Sequence, residues 1–179
     1  MKTIAFAALL LAPAASALAQ HAQPYAGQES RAIKALSDQE AADLLAGRGM
    51  GLAKAAELNS YPGPMHALEL RDALGLDTAQ VAALEDQKRR MAEAARDLGR
   101  RLVSAERDLD RLFAERRIDA ATLQERTEEI GRMQGRLRAV HLATHLETRA
   151  VLTDAQVRRY DELRGYAGGA PAQSHRHRH

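Results

Sequence analysis

The sequence predicts an all-α protein built on a long antiparallel helical hairpin with short flanking helices. Apolar residues recur at alternating spacings of three and four from Val81 to Leu112 and again from Leu123 to Val151. Only the stretch ERRIDAATL interrupts the two runs, and Asp119 within it can cap the second helix. A short connection between two long amphipathic helices favours an antiparallel pair. No useful length alternates with period two, so no strand is predicted.

The first 19 residues have the pattern of a cleavable signal peptide. Lys2 precedes an apolar run over residues 4–12, and Ala17-Leu18-Ala19 forms a small-x-small cleavage site. This pattern predicts export. The run is shorter than the about 20 residues needed to cross a bilayer, so no membrane span is expected after cleavage. The chain has no cysteine, which excludes a disulfide framework.

The remainder divides into three predicted regions. Residues 20–63 form an N-terminal extension with short helices, residues 64–166 the main helical domain, and residues 167–179 a disordered His/Arg tail. In the extension, Ser37 and Glu40 form a capping box that predicts a helix over residues 38–46.

Two more short helices are expected before the hairpin. One lies within GMGLAKAAELNSYPGP, and the other runs from Pro64 to Gly75. In the hairpin, Met91 and Met133 fall on the apolar stripes and are predicted to be core residues.

The charge balance bears on the kind of partner. The chain has 26 basic and 24 acidic residues, a net charge of +2, and both signs are interspersed. No basic block with interleaved aromatic residues is present to follow a phosphate backbone, so nucleic acid is not expected as a partner. The arginines are expected to form a solvated, ion-paired helix surface.

One short motif occurs twice. LDTAQVAALED at residues 76–86 and LTDAQVRRYDE at residues 152–162 share Leu, Ala, Gln and Val in register. Each combines a hydrophobic staple, a cap residue and a Gln that reaches back to the cap amide. The residues are Leu76, Asp77 and Gln80 in the first copy and Leu152, Thr153 and Gln156 in the second. The second copy would open a closing helix at about residues 154–165.

Paired boxes of this kind, in an exported chain without cysteine, resemble the Spy/CpxP family of periplasmic LTxxQ-motif proteins. The zinc-resistance-associated protein and the CnrX-type sensors of nickel and cobalt are similar to that family. The second box matches the motif fully, whereas the first has Asp77 where the family has Thr. The resemblance covers roughly residues 64–166. It implies a periplasmic four-helix protein that forms a curved homodimer.

The resemblance implies a non-catalytic role in envelope stress or metal response. A chaperone of this type would bind unfolded periplasmic proteins on a cradle rich in arginine, for which this chain offers Arg89, Arg90, Arg96, Arg100 and Arg101. The alternatives are a heavy-metal sensor or scavenger, and an adaptor for a two-component sensor kinase. No Gly-rich phosphate loop, cysteine nucleophile or nucleophile elbow is present, so no enzyme is predicted.

His141 and His145 are candidate metal ligands. They lie one helical turn apart, so a helix places both imidazoles within reach of one ion. The zincin protease pattern is excluded because Leu142 stands where HExxH has its general base. CnrX-like sensors place His and Met at this spacing, and the resemblance therefore implies that these two histidines are the matching pair. The alternative is two ordinary helix histidines.

Two ligands do not complete a metal site. His66, with Met65 and Glu69 beside it, is the best candidate for the missing ligands, and such a set suits zinc, nickel, cobalt or copper. Glu147 points away from His141 on a helical wheel. The tail residues His175, His177 and His179 could bind metal loosely or have no role.

Overall fold

The computed structural model describes residues 24–167 and is all-α over that range, as predicted. The predicted signal peptide and His/Arg tail lie outside these residues, apart from Ala167. Residues 24–30 belong to a separate unit, and within them a turn joins Tyr25 and Gln28. Between residues 31 and 167 the structure has seven helices: α1 (Asp38–Ala46), α2 (Lys54–Glu57), α3 (Pro64–Glu69), α4 (Arg71–Leu74), α5 (Thr78–Ala114), α6 (Ala120–Val151) and α7 (Asp154–Leu163).

The predicted caps open four of these helices. Ser37, Asp77 and Thr153 each form a complete capping box, in which the cap side chain accepts from a backbone N–H and the third helical residue accepts from the cap N–H. Asp119 accepts a hydrogen bond from the Thr122 amide at the start of α6. Local sequence chemistry therefore sets the starts of both long helices.

The helix expected from Pro64 to Gly75 is divided in two, which corrects the prediction. The break lies at Leu70, whose backbone torsions are −99° and 12°. Leu68 and Leu70 both pack on one apolar cluster. Residues two apart in a continuous helix point about 200° away from each other, so a break is needed for both to face the same core.

The larger apolar core lies between α1, α5 and α6. Its buried members are Ile33, Leu44, Ala95, Leu102, Val103, Ile130, Met133 and Leu137. Met133 is buried as predicted, whereas Met91 is only half-buried. Ile33 and Leu44 belong to the N-terminal extension, so this segment covers the apolar stripes that the two long helices leave open.

Gly99 allows α1 to pack closely against α5. A Cβ atom at this position would overlap the carbonyl oxygen of Leu44. Lys34 also fixes the extension to α5, because its backbone N–H and Nζ both donate to the carboxylate of Asp110. Contact between the backbones of α1 and α5 thus depends on the absence of a side chain at one residue.

A second core packs α3, α4 and α7 against the ends of the long helices. Its buried members are Ala67, Leu74, Leu84, Leu152, Val157 and Tyr160. Between the two cores, the Thr148 hydroxyl donates to Gln87 over 3.0 Å in a buried contact. Lys88 falls on the spacing of the apolar residues in α5, between Leu84 and Met91, but it is exposed, and its neighbour Gln87 faces α6.

Within residues 24–167, no helix is long and apolar enough to cross a membrane.

Candidate functional site around His141 and His145

His141 lies on the buried face of α6 and is 3% exposed. Gly49 of the extension covers its ring, with Nδ1 and Cε1 both 3.8 Å from the position of a Cβ atom on that glycine. Its Nε2 is buried and has no hydrogen-bond partner among the described residues. Burial, and secondarily the nearby His145, lower the pKa of His141. Both effects favour the neutral form of the ring.

His145 fastens the extension to α6. Its Nδ1 lies 2.7 Å from the carbonyl oxygen of Tyr61, and since a carbonyl only accepts, Nδ1 carries the proton. In the tautomer that this bond selects, Nε2 carries no proton. Gly63 packs on this edge, because a Cβ atom there would lie 3.0 Å from Nε2 and 2.9 Å from Cε1. Both predicted ligands are thus in contact with the backbone of the extension.

The other predicted ligands interact with each other. Nδ1 of His66 lies 2.8 Å from Oε2 of Glu69 within α3. This contact lowers the pKa of the Glu69 carboxyl, which lies at the surface. Over residues 24–167, no three or more His, Asp or Glu side chains are grouped in a way that could hold a metal ion. A metal centre at His141, His145, His66 and Glu69 stays a prediction.

Sequence reasoning missed a buried polar cluster around Glu57, which lies beside His145. The Tyr160 hydroxyl donates to Oε1 of Glu57 over 2.5 Å, and the Tyr166 hydroxyl donates to the same oxygen over 3.3 Å. Arg164 Nε lies 3.6 Å from Oε1 of Glu57, an ion-pair distance too long for a hydrogen bond, and His145 Nδ1 lies 3.7 Å from Oε2.

This cluster joins α2, α6 and α7. Burial and the Glu57 carboxylate raise the pKa of Tyr160, whose side chain is fully buried. Ser60 adds a hydrogen bond of 2.6 Å to Asp161. The sequence showed only a Glu within the short helix predicted in GMGLAKAAELNSYPGP. Nothing in its spacing indicated contact with residues more than 100 positions away.

The two repeated motifs meet at the base of the long helices. Nε2 of Gln80 donates to Oε1 of Gln156 over 2.9 Å, and the reverse bond has the same length. Each Oε1 also accepts from the cap amide of its own helix, at 3.1 Å from Asp77 and 2.9 Å from Thr153. The motif glutamines therefore act together rather than as separate caps.

The predicted arginine surface is largely ion-paired. Arg89 pairs with Asp86 and Glu93, Arg90 with Asp86 and Glu147, and Arg100 with Asp97. The side chain of Arg96 packs against Gly47. Of the five predicted residues, Arg101 lines a groove on the surface.

This groove is open, has a volume of about 350 Å³ and runs along α6; its last lining residue, Arg136, is five residues before His141. It is lined by Arg101, Glu125, Arg126, Glu129, Arg132, Met133 and Arg136. Apart from Met133, every lining side chain carries a formal charge. The groove is therefore a polar surface rather than an enclosed apolar pocket.

Comparisons of the chain with protein-family models, with curated proteins and with solved structures gave no match.

Proposed function

We propose that this chain is a non-catalytic periplasmic protein of Spy/CpxP type that binds unfolded client proteins in envelope stress. In this proposal α5 and α6 form the helical hairpin of the family, and two chains associate as a homodimer. Support comes from the paired capping boxes and from the contact between their glutamines, Gln80 and Gln156. The oligomeric state is tested by light scattering of the full chain, for which a monomer at micromolar concentration contradicts the dimer.

The observation that supports client binding is a pair of exposed apolar side chains close to arginines. Phe113 and Leu123 are 53% and 38% exposed, and they lie near the connection between α5 and α6. Arg116 and Arg117 occupy that connection. Exposed apolar side chains beside positive charge suit a client that presents both apolar and acidic segments.

The test is suppression of aggregation of a chemically denatured client on dilution. The full chain is expected to suppress aggregation near equimolar ratio, and a Phe113→Ser, Leu123→Ser variant is expected to lose most of this effect. A Leu45→Ser, Leu58→Ser variant is the matched control, since both leucines are exposed but lie in the extension. Equal loss in both variants, or no suppression by the unmodified chain, contradicts the proposal.

A second candidate function is binding of a divalent metal as a sensor or scavenger. It is favoured by one observation, the buried Nε2 of His141 without a hydrogen-bond partner in the described chain. A metal would need His141 and His145 to leave Gly49 and Gly63, which cover them. Metal binding would therefore displace the extension.

Calorimetric titration with zinc, nickel, cobalt or copper tests this candidate. The chain used carries Ala at His175, His177 and His179, so that the tail does not contribute. Binding with a Kd below about 10 μM, lost on His141→Ala, His145→Ala, supports a specific site. Unchanged binding in that variant, or none in the parent, contradicts it. An adaptor for a sensor kinase is the remaining alternative, and co-purification with such a kinase tests it.

A further inference from the structure

The groove on α6 is built from one face of that helix. Six lining residues lie between Glu125 and Arg136 at spacings of one, three and four, and at 1.5 Å per residue they span about 16 Å. The seventh, Arg101, comes from α5. Buried and surface contacts pair Gln87 with Thr148 and Arg90 with Glu147, so residue numbers rise on α5 as they fall on α6. Continued along the helices, this register places Arg101 level with the Arg136 end of the groove.

The groove has more positive charge than its own carboxylates neutralise. Four arginines and two glutamates line it, which gives 4 − 2 = +2. Arg126 pairs with Glu129 at 3.1 Å, and Arg132 with Glu128, outside the lining, at 3.5 Å. Arg101 and Arg136 form no ion pair within the part of the chain that the structure describes. Two guanidinium groups are therefore left without a counter-charge at the same level of the groove.

One nitrogen atom of a groove arginine also lacks a hydrogen-bond acceptor. Nε of Arg126 is shielded from solvent and has no acceptor among residues 24–167. Burying such a donor without a partner is unfavourable. The Arg126 side chain as a whole is 39% exposed and lines the groove, so an oxyanion bound there would lie beside this unsatisfied donor.

From these observations we propose that the groove binds a compact, multiply charged oxyanion of the phosphate class. Guanidinium groups present planar pairs of N–H donors that match phosphate oxygens in bidentate geometry. No aromatic side chain lines the groove to stack a base, so a phosphate group without a nucleobase suits it best. This site does not depend on client binding, which rests on Phe113 and Leu123.

Calorimetric titration of the full chain with inorganic pyrophosphate at low salt tests the site. We expect saturable binding at a one-to-one ratio that weakens as salt is added, because the arginines are exposed. Arg101→Gln, Arg136→Gln is expected to weaken binding by about tenfold or more, equivalent to losing one charge-assisted contact.

The matched control is Arg107→Gln, Arg138→Gln. These exposed arginines lie on the same two helices, form no ion pair among the described residues and do not line the groove. The control removes the same charge and is expected to change affinity by less than about threefold. Equal losses of pyrophosphate affinity in the two variants would mean that pyrophosphate is attracted by net charge alone. That result would overturn the proposed site. So would the absence of pyrophosphate binding by the unmodified chain at about 1 mM.

Phosphate of this kind occurs free in solution or as a lipid headgroup, and vesicles distinguish the two. Sedimentation with phosphatidic acid vesicles, whose phosphomonoester is multiply charged, but not with phosphatidylcholine vesicles assigns the headgroup, provided that it is reversed by pyrophosphate and lost in Arg101→Gln, Arg136→Gln. Pyrophosphate binding without sedimentation assigns a soluble phosphate. Tighter binding of hexaglutamate than of pyrophosphate overturns the phosphate class in favour of an acidic peptide.

Discussion

Gln80 and Gln156 are related by a local two-fold arrangement. Besides pairing with each other, Gln80 donates to the carbonyl of Val151 over 3.0 Å and Gln156 approaches the carbonyl of Gly75 at 3.4 Å. Each of these carbonyls belongs to the residue just before the other motif. The repeat in the sequence thus appears as a symmetrical contact that joins the starts of α5 and α7.

A double-mutant cycle measures this contact. Gln80→Ala and Gln156→Ala should each lower the free energy of unfolding by about 1–2 kcal/mol, since each removes a cap bond and both bonds between the two glutamines. Their effects should be non-additive by about 0.5 kcal/mol or more. Gln80→Ala combined with Gln124→Ala is the control, because Gln124 bonds only to Glu128 on the surface. Additivity in both pairs contradicts the coupling.

Gly99→Ala should separate α1 from α5. The new Cβ would overlap the Leu44 carbonyl, so we expect a loss of about 1–3 kcal/mol or more in chemical denaturation. Gly131→Ala and Gly135→Ala on α6 meet no atom within 4 Å and should instead stabilise the helix by about 0.5–1 kcal/mol each. Stabilisation by Gly99→Ala would contradict the close packing.

Gly63→Ala should disturb the ring of His145. A Cβ atom there lies 2.9 Å from Cε1, closer than side-chain atoms normally approach, so the ring or the backbone must shift at about 1–3 kcal/mol. Gly49→Ala is the matched control, because its Cβ would meet His141 at 3.8 Å in ordinary contact. The difference is measured by unfolding and by the histidine ring resonances. Equal effects of both variants argue against the packing described.

Tyr160→Phe tests the cluster around Glu57. It removes the 2.5 Å hydrogen bond and leaves Tyr166 as the remaining hydroxyl donor to that carboxylate, so unfolding free energy should fall by about 1–3 kcal/mol. Tyr61→Phe, at an exposed tyrosine, should change it by less than about 0.5 kcal/mol. A neutral result for Tyr160→Phe would mean that the hydroxyl contributes nothing.

His141 should make stability depend on pH. Its native pKa lies below the ordinary value of 6.5, so on acidification the unfolded chain takes up this proton first. The stability associated with the neutral His141 ring is fully present above about pH 6.5 and is lost as pH falls towards the native pKa. The free energy of unfolding then falls by at most about 1.4 kcal/mol per pH unit. His141→Gln should remove this part of the slope in unfolding measurements between pH 8 and pH 5. Identical slopes in both proteins contradict the assignment.

Local chemistry explains why much of the fold was predictable. The caps at Ser37, Asp77, Asp119 and Thr153 satisfy backbone groups within their own first turns, so three or four consecutive residues contain the whole signal. The break at Leu70 was missed because it serves packing between elements. Gln87, rather than Lys88, faces α6 for the same reason.

At the candidate site, too, local spacing was predictable and contacts between distant segments were not. Spacing alone placed His141 and His145 on one helix face, since that follows from 3.6 residues per turn. What covers them could not be read from spacing, because Gly49, Gly63 and Tyr61 are some 80 to 90 positions earlier in the chain and come close only when the extension packs on α6. The sequence by itself determined the helices, their starts and the paired motifs, all of which arise from interactions within a few residues. Tertiary structure alone decided that the extension completes the core, that Glu57 joins α2 to α7, and that unpaired arginines line one groove, because these depend on contacts between distant segments.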